Sequence, residues 1–333
     1  MSVPQANGNL PEKQEHARTG AERLRRAACF AAALAVLGGL SLVAGFETAR
    51  RTLAAPPTET ASGAAKSAPA ASPVRMPAAG KETEEELNRL PVQQRAERLL
   101  EQAMQQDERS LDLLRASVDG WRGHLQSTDR LFDLVLAALS SADLRVRTAA
   151  IDVDLAANNL SKTPASVTKL LREMQSDPSE TGMCLWRLGA LGNRGVAPEL
   201  VLKNLLLYAR SRNEHTRYWA VEGLAMLGND ATVGPLMEIM THDQSARVQD
   251  LAASSLAQGG MLTREERLGA VPHLLNFADD DSLSTTTREL VYGTLRVITG
   301  AELGNDAEAW REWWAKHDPA RERPQERAGT VRT

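Results

Sequence analysis

Residues 214–228 read EHTRYWAVEGLAMLG, and this stretch is the clearest of several related segments in the chain. Apolar side chains at Trp219, Leu224 and Leu227 recur at the spacing of one face of a helix. The segment ends in Leu-Gly, and a glycine just after the last periodic residue indicates the C-terminus of a helix. We therefore predict an amphipathic helix in which these three side chains belong to the core.

Four further segments share this pattern and predict a repeated two-helix unit. The second residue of the pair that opens each copy recurs after 34, 36, 32 and 39 residues, at Arg147, Thr181, Arg217, Gln249 and Arg288. A shorter apolar helix is predicted before each copy, at 131–139, 166–174, 199–209, 232–240 and 270–278. A helical pair with this period is the signature of an α-solenoid, in which stacked neighbours bury the face that one pair cannot bury alone.

The repeated segments resemble the short HEAT-like repeats of bacterial proteins, with the form Asp…Val-Arg-x-x-Ala…Leu-Gly. The best matches are 143–150 and 216–228, although Gln249 replaces the arginine and Trp219 an expected alanine. The glycine slips by one residue in the fifth copy. The resemblance implies an all-α, HEAT-like α-solenoid of about five helical pairs over 131–300, and a surface that binds proteins.

Helical segments flank the repeats. Residues 81–130 are predicted to form an N-terminal cap or a degenerate repeat, with a helix restarted at Pro91. Residues 301–318 are predicted to form a C-terminal cap helix that begins after Asp306. Its three tryptophans, Trp310, Trp313 and Trp314, share one face and are expected to cover the last repeat; the alternative is an aromatic binding surface.

The sequence of the N-terminal quarter predicts a membrane anchor followed by a flexible linker. Residues 27–46 contain no charge, and twenty such residues match the hydrocarbon core of a bilayer. We interpret them as a transmembrane signal anchor; the alternatives are a cleaved signal peptide and a buried helix. The basic excess before the segment predicts that residues 1–26 are cytoplasmic and the solenoid extracytoplasmic, at a bacterial inner membrane. Residues 47–80, rich in Ala, Pro, Ser and Thr, and the tail 319–333 are expected to be disordered.

Neither the composition nor any motif of the sequence points to a catalytic, metal-binding or nucleic-acid-binding site. The net charge is −4 and the pI about 6.0, which gives no electrostatic reason to expect nucleic-acid binding. The six histidines and two cysteines lack metal-ligand spacing, and no phosphate-binding loop or nucleophile motif occurs. We therefore assign no catalytic, cofactor-binding or metal-binding residue, and we predict that the protein is not an enzyme.

The resemblance implies that the second helix of each pair lines the binding face. The positions predicted to be exposed there are Trp186, Arg187, Tyr218, Glu222, Tyr292 and Arg296. Arg147, Arg217 and Arg288 recur at one repeat position and are interpreted as a structural ladder; the alternative is a basic row for an acidic partner. The predicted function is a membrane-anchored scaffold for a protein partner of unknown identity. The alternatives are a secreted solenoid after signal cleavage and a HEAT-like lyase or accessory subunit related to bilin lyases.

Overall fold

The computed structural model describes residues 83–319, in which every regular element is a helix. These residues belong to two compact units, 83–160 and 161–319. The predicted cytoplasmic tail, transmembrane helix, linker and almost all of the C-terminal tail lie outside the described residues. Within 83–319, no helix combines the length and the hydropathy that crossing a bilayer requires.

The first unit contains five α-helices. They are α1 (Glu84–Arg89), α2 (Val92–Met104), α3 (Glu108–Ser117), α4 (Asp129–Leu139) and α5 (Leu144–Ala157). A capping box between Thr83 and Glu86 begins α1, and Pro91 separates α1 from α2 because proline cannot continue a helix. Helices α4 and α5 form the first of the helical pairs that the repeat pattern predicts.

The second unit contains the remaining pairs and the C-terminal helix. The helices are α6 (Pro164–Ser176), α7 (Thr181–Asn193), α8 (Pro198–Tyr208), α9 (Glu214–Leu227), α10 (Asp230–His242), α11 (Ala246–Ala257), α12 (Arg264–Gly269), α13 (Val271–Ala278), α14 (Thr285–Thr299) and α15 (Ala307–His317). The pairs are α6/α7, α8/α9, α10/α11 and α13/α14. This all-helical arrangement is consistent with the predicted α-solenoid; the short helix α12 was not predicted.

The second helices of the pairs form the central row of this unit. Helix α9 packs against α7 on one side and α11 on the other, and α11 packs in turn against α14. Each second helix also contacts the first helix of its own pair. As a result, α9 is enclosed, and eleven consecutive residues, 217–227, are buried.

Glycines set the close approach of α7 and α9. A Cβ atom on Gly189 would collide with the backbone carbonyl of Gly223, and one on Gly182 would lie 2.7 Å from the Trp219 ring. At the end of α9, Gly228 adopts the left-handed conformation, with φ +48°, and its backbone N–H donates to the Leu224 carbonyl. The Leu-Gly ending therefore marks the helix terminus as predicted.

Candidate protein-binding surface

A side chain at one repeat position binds the turn between the two helices of its pair. Arg147 Nε donates to the Ser141 carbonyl at 2.5 Å, and Arg217 Nη1 donates to the Ser211 carbonyl at 3.1 Å. In the copy without an arginine, Gln249 Nε2 donates to the Asp243 carbonyl at 2.8 Å. In all three copies the acceptor lies six residues before the donor, so the position closes the preceding turn.

Arg217 also connects one repeat to the next. Its Nε lies 2.8 Å from Asp243 Oδ2 and its Nη2 lies 2.9 Å from Asp243 Oδ1, in the turn between α10 and α11. Both side chains are only 6% exposed. The hydrogen bond to Asp243 is the largest effect on the Arg217 pKa, which is raised above its ordinary value. The Arg217 guanidinium is thus buried in an ion pair with Asp243 and is not available to bind an acidic partner protein.

Arg288 forms an exposed version of the same contact. Its Nη1 lies 2.9 Å from Asp281 Oδ1, in the turn before its own helix. The Arg288 side chain is 32% exposed and that of Asp281 is 97% exposed. This contact does not reach a neighbouring repeat.

Four of the six positions predicted to be exposed on the second helices are buried. The exposed fractions are 0% for Trp186, 1% for Tyr218, 3% for Glu222 and 6% for Tyr292, so this expectation was wrong. The physical reason is that the second helices lie between neighbouring helices and not along an open edge. Tyr292, for example, donates its hydroxyl to the Ala278 carbonyl of α13, at 3.4 Å.

The other two positions, Arg187 and Arg296, are partly exposed. Arg296 Nη1 donates to the Leu303 carbonyl at 3.2 Å and to Asn305 Oδ1 at 3.1 Å, which holds the connection before α15 against α14. Burial lowers the pKa of Arg296 below its ordinary value. The six predicted residues therefore do not form one open surface.

Tyr218, Glu222 and Arg247 form a polar cluster between α9 and α11. The Arg247 guanidinium lies over the Tyr218 ring, 4.3 Å from its centroid. Glu222 Oε1 is buried and accepts no hydrogen bond within the part of the chain that the structure describes. Burial raises the pKa of Glu222 to about 7, and its hydrogen bond with Tyr218 opposes this change. A carboxyl group in this environment favours its neutral form.

Cys184 does not have the environment of a nucleophile. The thiol is buried in α7, and burial raises its pKa to about 12. At neutral pH it is therefore a thiol, and the thiolate is the reactive form. Across residues 83–319, no group of three or more His, Cys, Asp or Glu side chains has an arrangement suited to a metal ion.

The three tryptophans of α15 have different environments. Asp306 caps the helix by accepting from the backbone N–H groups of Glu308 and Ala309, at 2.9 and 3.2 Å. Trp310 and Trp314 are buried, and Trp310 Nε1 donates to the Gly304 carbonyl at 2.8 Å. Trp313 is partly exposed and stacks on His317, with ring centroids 4.3 Å apart.

Trp313 lies at the edge of a groove of about 750 Å³ between α12 and α15. The residues that line this groove are Arg264, Glu265, Leu268, Gly269, Pro272, Thr299, Trp313, Trp314, His317, Asp318 and Pro319. Sequence reasoning placed Trp313 on α15 but missed the groove, because the opposite wall comes from the unpredicted helix α12. The capping box of Thr263 and Glu266 is the sequence signal from which the start of α12 could have been predicted.

Comparison with known protein families identifies HEAT repeats in part of the chain. A family model of HEAT repeats matches residues 166–257, which run from within α6 to the end of α11. This match confirms the resemblance to HEAT repeats for that part of the chain. Comparison with curated proteins and with solved structures gives no significant match.

Proposed function

We propose that this chain of HEAT repeats is a membrane-anchored scaffold that binds another protein and carries no catalytic activity. The observation that carries the proposal is the HEAT-repeat match over residues 166–257, since HEAT repeats generally mediate protein interactions. Stacked helical repeats hold a long rigid surface, which suits binding more directly than it suits chemistry. The buried, protonated Cys184 agrees with this assignment.

The groove between α12 and α15, named here the Trp313 groove, is the proposed contact surface. Trp313 offers a large apolar ring whose neighbours Leu268 and Pro272 extend the apolar wall, and charged side chains line the same groove. Tryptophan is enriched among residues that dominate binding energy at protein interfaces. The two buried tryptophans of the same helix fix the position of Trp313.

Affinity capture with the full-length chain tests the binding role. We expect a protein to co-purify with the wild-type chain and to be lost, or reduced at least tenfold, when Trp313→Ala removes the ring. Glu238→Ala is the matched control, because Glu238 is exposed on α10, outside the groove. A thermal melt should show that both variants stay folded. Equal capture by both variants would reject the Trp313 groove as the binding surface.

Membrane attachment is proposed from the sequence of residues 27–46. The expected outcome is that the full-length chain stays in the membrane pellet during alkaline extraction, and that its intact mass includes the N-terminal segment. Release at high pH together with a shortened mass would indicate a secreted, cleaved protein. A reporter fused after Thr333 tests the proposed orientation, and activity of a cytoplasmic reporter would contradict it.

A further inference from the structure

Helix α8 differs from the other first helices of the second unit in the side chains that it exposes. Leu200 is 44% exposed and Leu207 is 66% exposed, and these are the exposed large hydrophobic side chains among the described residues. They lie seven residues apart with Lys203 and Asn204 between them, which places all four on one face of the helix. We call this surface the α8 face: Leu200, Lys203, Asn204 and Leu207.

The exposed residues on the other first helices of this unit are polar or small. Helix α6 exposes Thr168, Lys169 and Arg172, α10 exposes Ala231, Gly234 and Glu238, and α13 exposes Pro272, His273 and Asn276. The sequence of α8, PELVLKNLLLY, is apolar on most sides, yet only Val201 and Leu205 are fully buried. A helix that is apolar all round is normally covered, so the α8 face indicates a surface with a binding partner.

Opposite charges lie at the two ends of α8. Glu199 lies in the first turn and Arg210 just after the last, and both are exposed. Neither side chain makes an ion pair or hydrogen bond with any residue in 83–319. If two α8 helices lie side by side in opposite directions, Leu200 of each faces Leu207 of the other. The same arrangement places Glu199 of each chain beside Arg210 of the other, whereas parallel helices would bring like charges together.

We propose that the α8 face binds the same face of a second copy of this chain, antiparallel and across a two-fold axis. Such a contact is isologous, because one patch meets itself and closes a dimer. Antiparallel packing also aligns the helix dipoles favourably. Lys203 lies near the axis, where its stem covers apolar surface while its amine extends to water.

The small size of the surface predicts a weak and reversible dimer. Helix α8 contributes one eleven-residue face per chain, well below the roughly 800 Å² per partner of a standard interface. We therefore expect dissociation in the micromolar to millimolar range, consistent with association that depends on the local concentration of the chain. This surface is separate from the Trp313 groove, so the two assignments can fail independently.

Sedimentation of the full-length chain, in one buffer and detergent over a wide concentration range, tests the proposal. We expect the average mass of the wild-type chain to rise towards that of a dimer. Leu207→Glu should abolish this rise without changing the thermal melt, because Leu207 is mostly exposed in the monomer. Glu238→Lys on α10 is the control and should dimerise as the wild type does. A wild type that stays monomeric, or a Leu207→Glu variant that still dimerises, overturns the proposal.

Charge exchange distinguishes a second copy from any other occupant. Glu199→Arg alone and Arg210→Glu alone should each weaken self-association several-fold, since each places like charges at both ends of the contact. An equimolar mixture of the two variants should form a heterodimer of near wild-type affinity, because both end contacts are then between opposite charges. A mixture that associates no better than either variant overturns the antiparallel arrangement. If Leu207→Glu abolishes capture of a different protein while the wild type remains monomeric, that protein occupies the face and the self-association proposal is wrong.

Discussion

Arg217 and Arg288 occupy the same repeat position, yet their contacts differ in burial and in reach. Arg217 binds Asp243 through two nitrogens, both side chains are 6% exposed, and the contact joins successive repeats. Arg288 binds Asp281 through one nitrogen inside its own turn, where the carboxylate is 97% exposed. The sequence pattern treats the two residues as equivalent, whereas the environment makes one a structural link and the other a surface ion pair.

We expect burial to decide how much the residue at this repeat position contributes to stability. Exposed ion pairs contribute little because water and salt screen them and because ordering two long side chains costs entropy. A buried pair is different, because removal of one partner leaves a charge without compensation in a medium that solvates it poorly. Stability should therefore respond most strongly to changes at the most buried contact and least to changes at the most exposed one.

We expect Asp243→Ala to cause the largest decrease in the free energy of unfolding. This change leaves the Arg217 guanidinium buried without its carboxylate, and the loss of one member of a buried pair costs about 3–5 kcal/mol. The free energy of unfolding of the full-length chain, from denaturant titration, measures the effect. Asp281→Ala is the matched control, since it removes the exposed carboxylate of the other contact. Equal losses for the two variants would contradict the role assigned to burial.

Glu222 is a buried acid whose Oε1 has no hydrogen-bond partner among residues 83–319, and it should have the next largest effect on stability. Because its pKa is raised in the folded state, from 4.5 to about 7, the folded state retains the proton that the unfolded state loses. The free energy of unfolding should therefore fall as pH rises from about 4.5 to 7, by about 3 kcal/mol at 1.36 kcal/mol per pKa unit.

Glu222→Gln should remove this part of the pH dependence and stabilise the protein relative to the wild type at pH 8. The measurement is the difference in unfolding free energy between the two proteins at pH 4 and pH 8. A difference that does not change with pH would show that Glu222 is ionised in the folded protein at neutral pH.

Gln249 is expected to make an intermediate contribution to the stability of the fold. Gln249→Ala removes the hydrogen bond to the Asp243 carbonyl, which typically contributes about 1 kcal/mol to stability. The same denaturant titration applies, with Glu238→Ala as the exposed control. A loss as large as that of Asp243→Ala would mean that the hydrogen bond that closes the turn contributes as much stability as the ion pair that links the repeats.

Arg288→Ala should cause the smallest decrease in the free energy of unfolding, below about 0.5 kcal/mol, because the Arg288–Asp281 ion pair is exposed. This small loss should disappear in high salt, since screening weakens exposed pairs more than buried ones. Denaturant titrations at low and high ionic strength test both statements. A loss above about 2 kcal/mol that is insensitive to salt would place Arg288 in the same class as Arg217.

The sequence predicted the helices well where local signals mark them. Residues 214–228 predicted α9 to within one residue, because Asn213 caps the start and Gly228 ends the helix. Helices α11 and α14 begin after Ser245 and Ser284, which occupy their N-cap positions. The Asp243 carboxylate, two residues before Ser245, binds Arg217.

The exposed positions were harder to predict because they depend on tertiary packing. An amphipathic reading of α9 assigned Tyr218 and Glu222 to an outer face. Helices on both sides enclose α9, however, and its apolar residues are distributed around its whole circumference. The converse holds for α8, whose many leucines predict burial although Leu207 is exposed. Neither outcome follows from the periodicity of a single helix.

Photo-cross-linking in cells tests the scaffold assignment most directly. A photo-reactive aromatic residue replaces Trp313 in the full-length chain, and the same residue at Arg288 serves as the exposed control outside the groove. We expect a cross-linked adduct at position 313 that contains a second, different protein, with little or none at position 288. If position 313 gives no protein adduct, or gives the same adducts as position 288, the Trp313 groove does not bind a partner and the proposed function loses its contact surface.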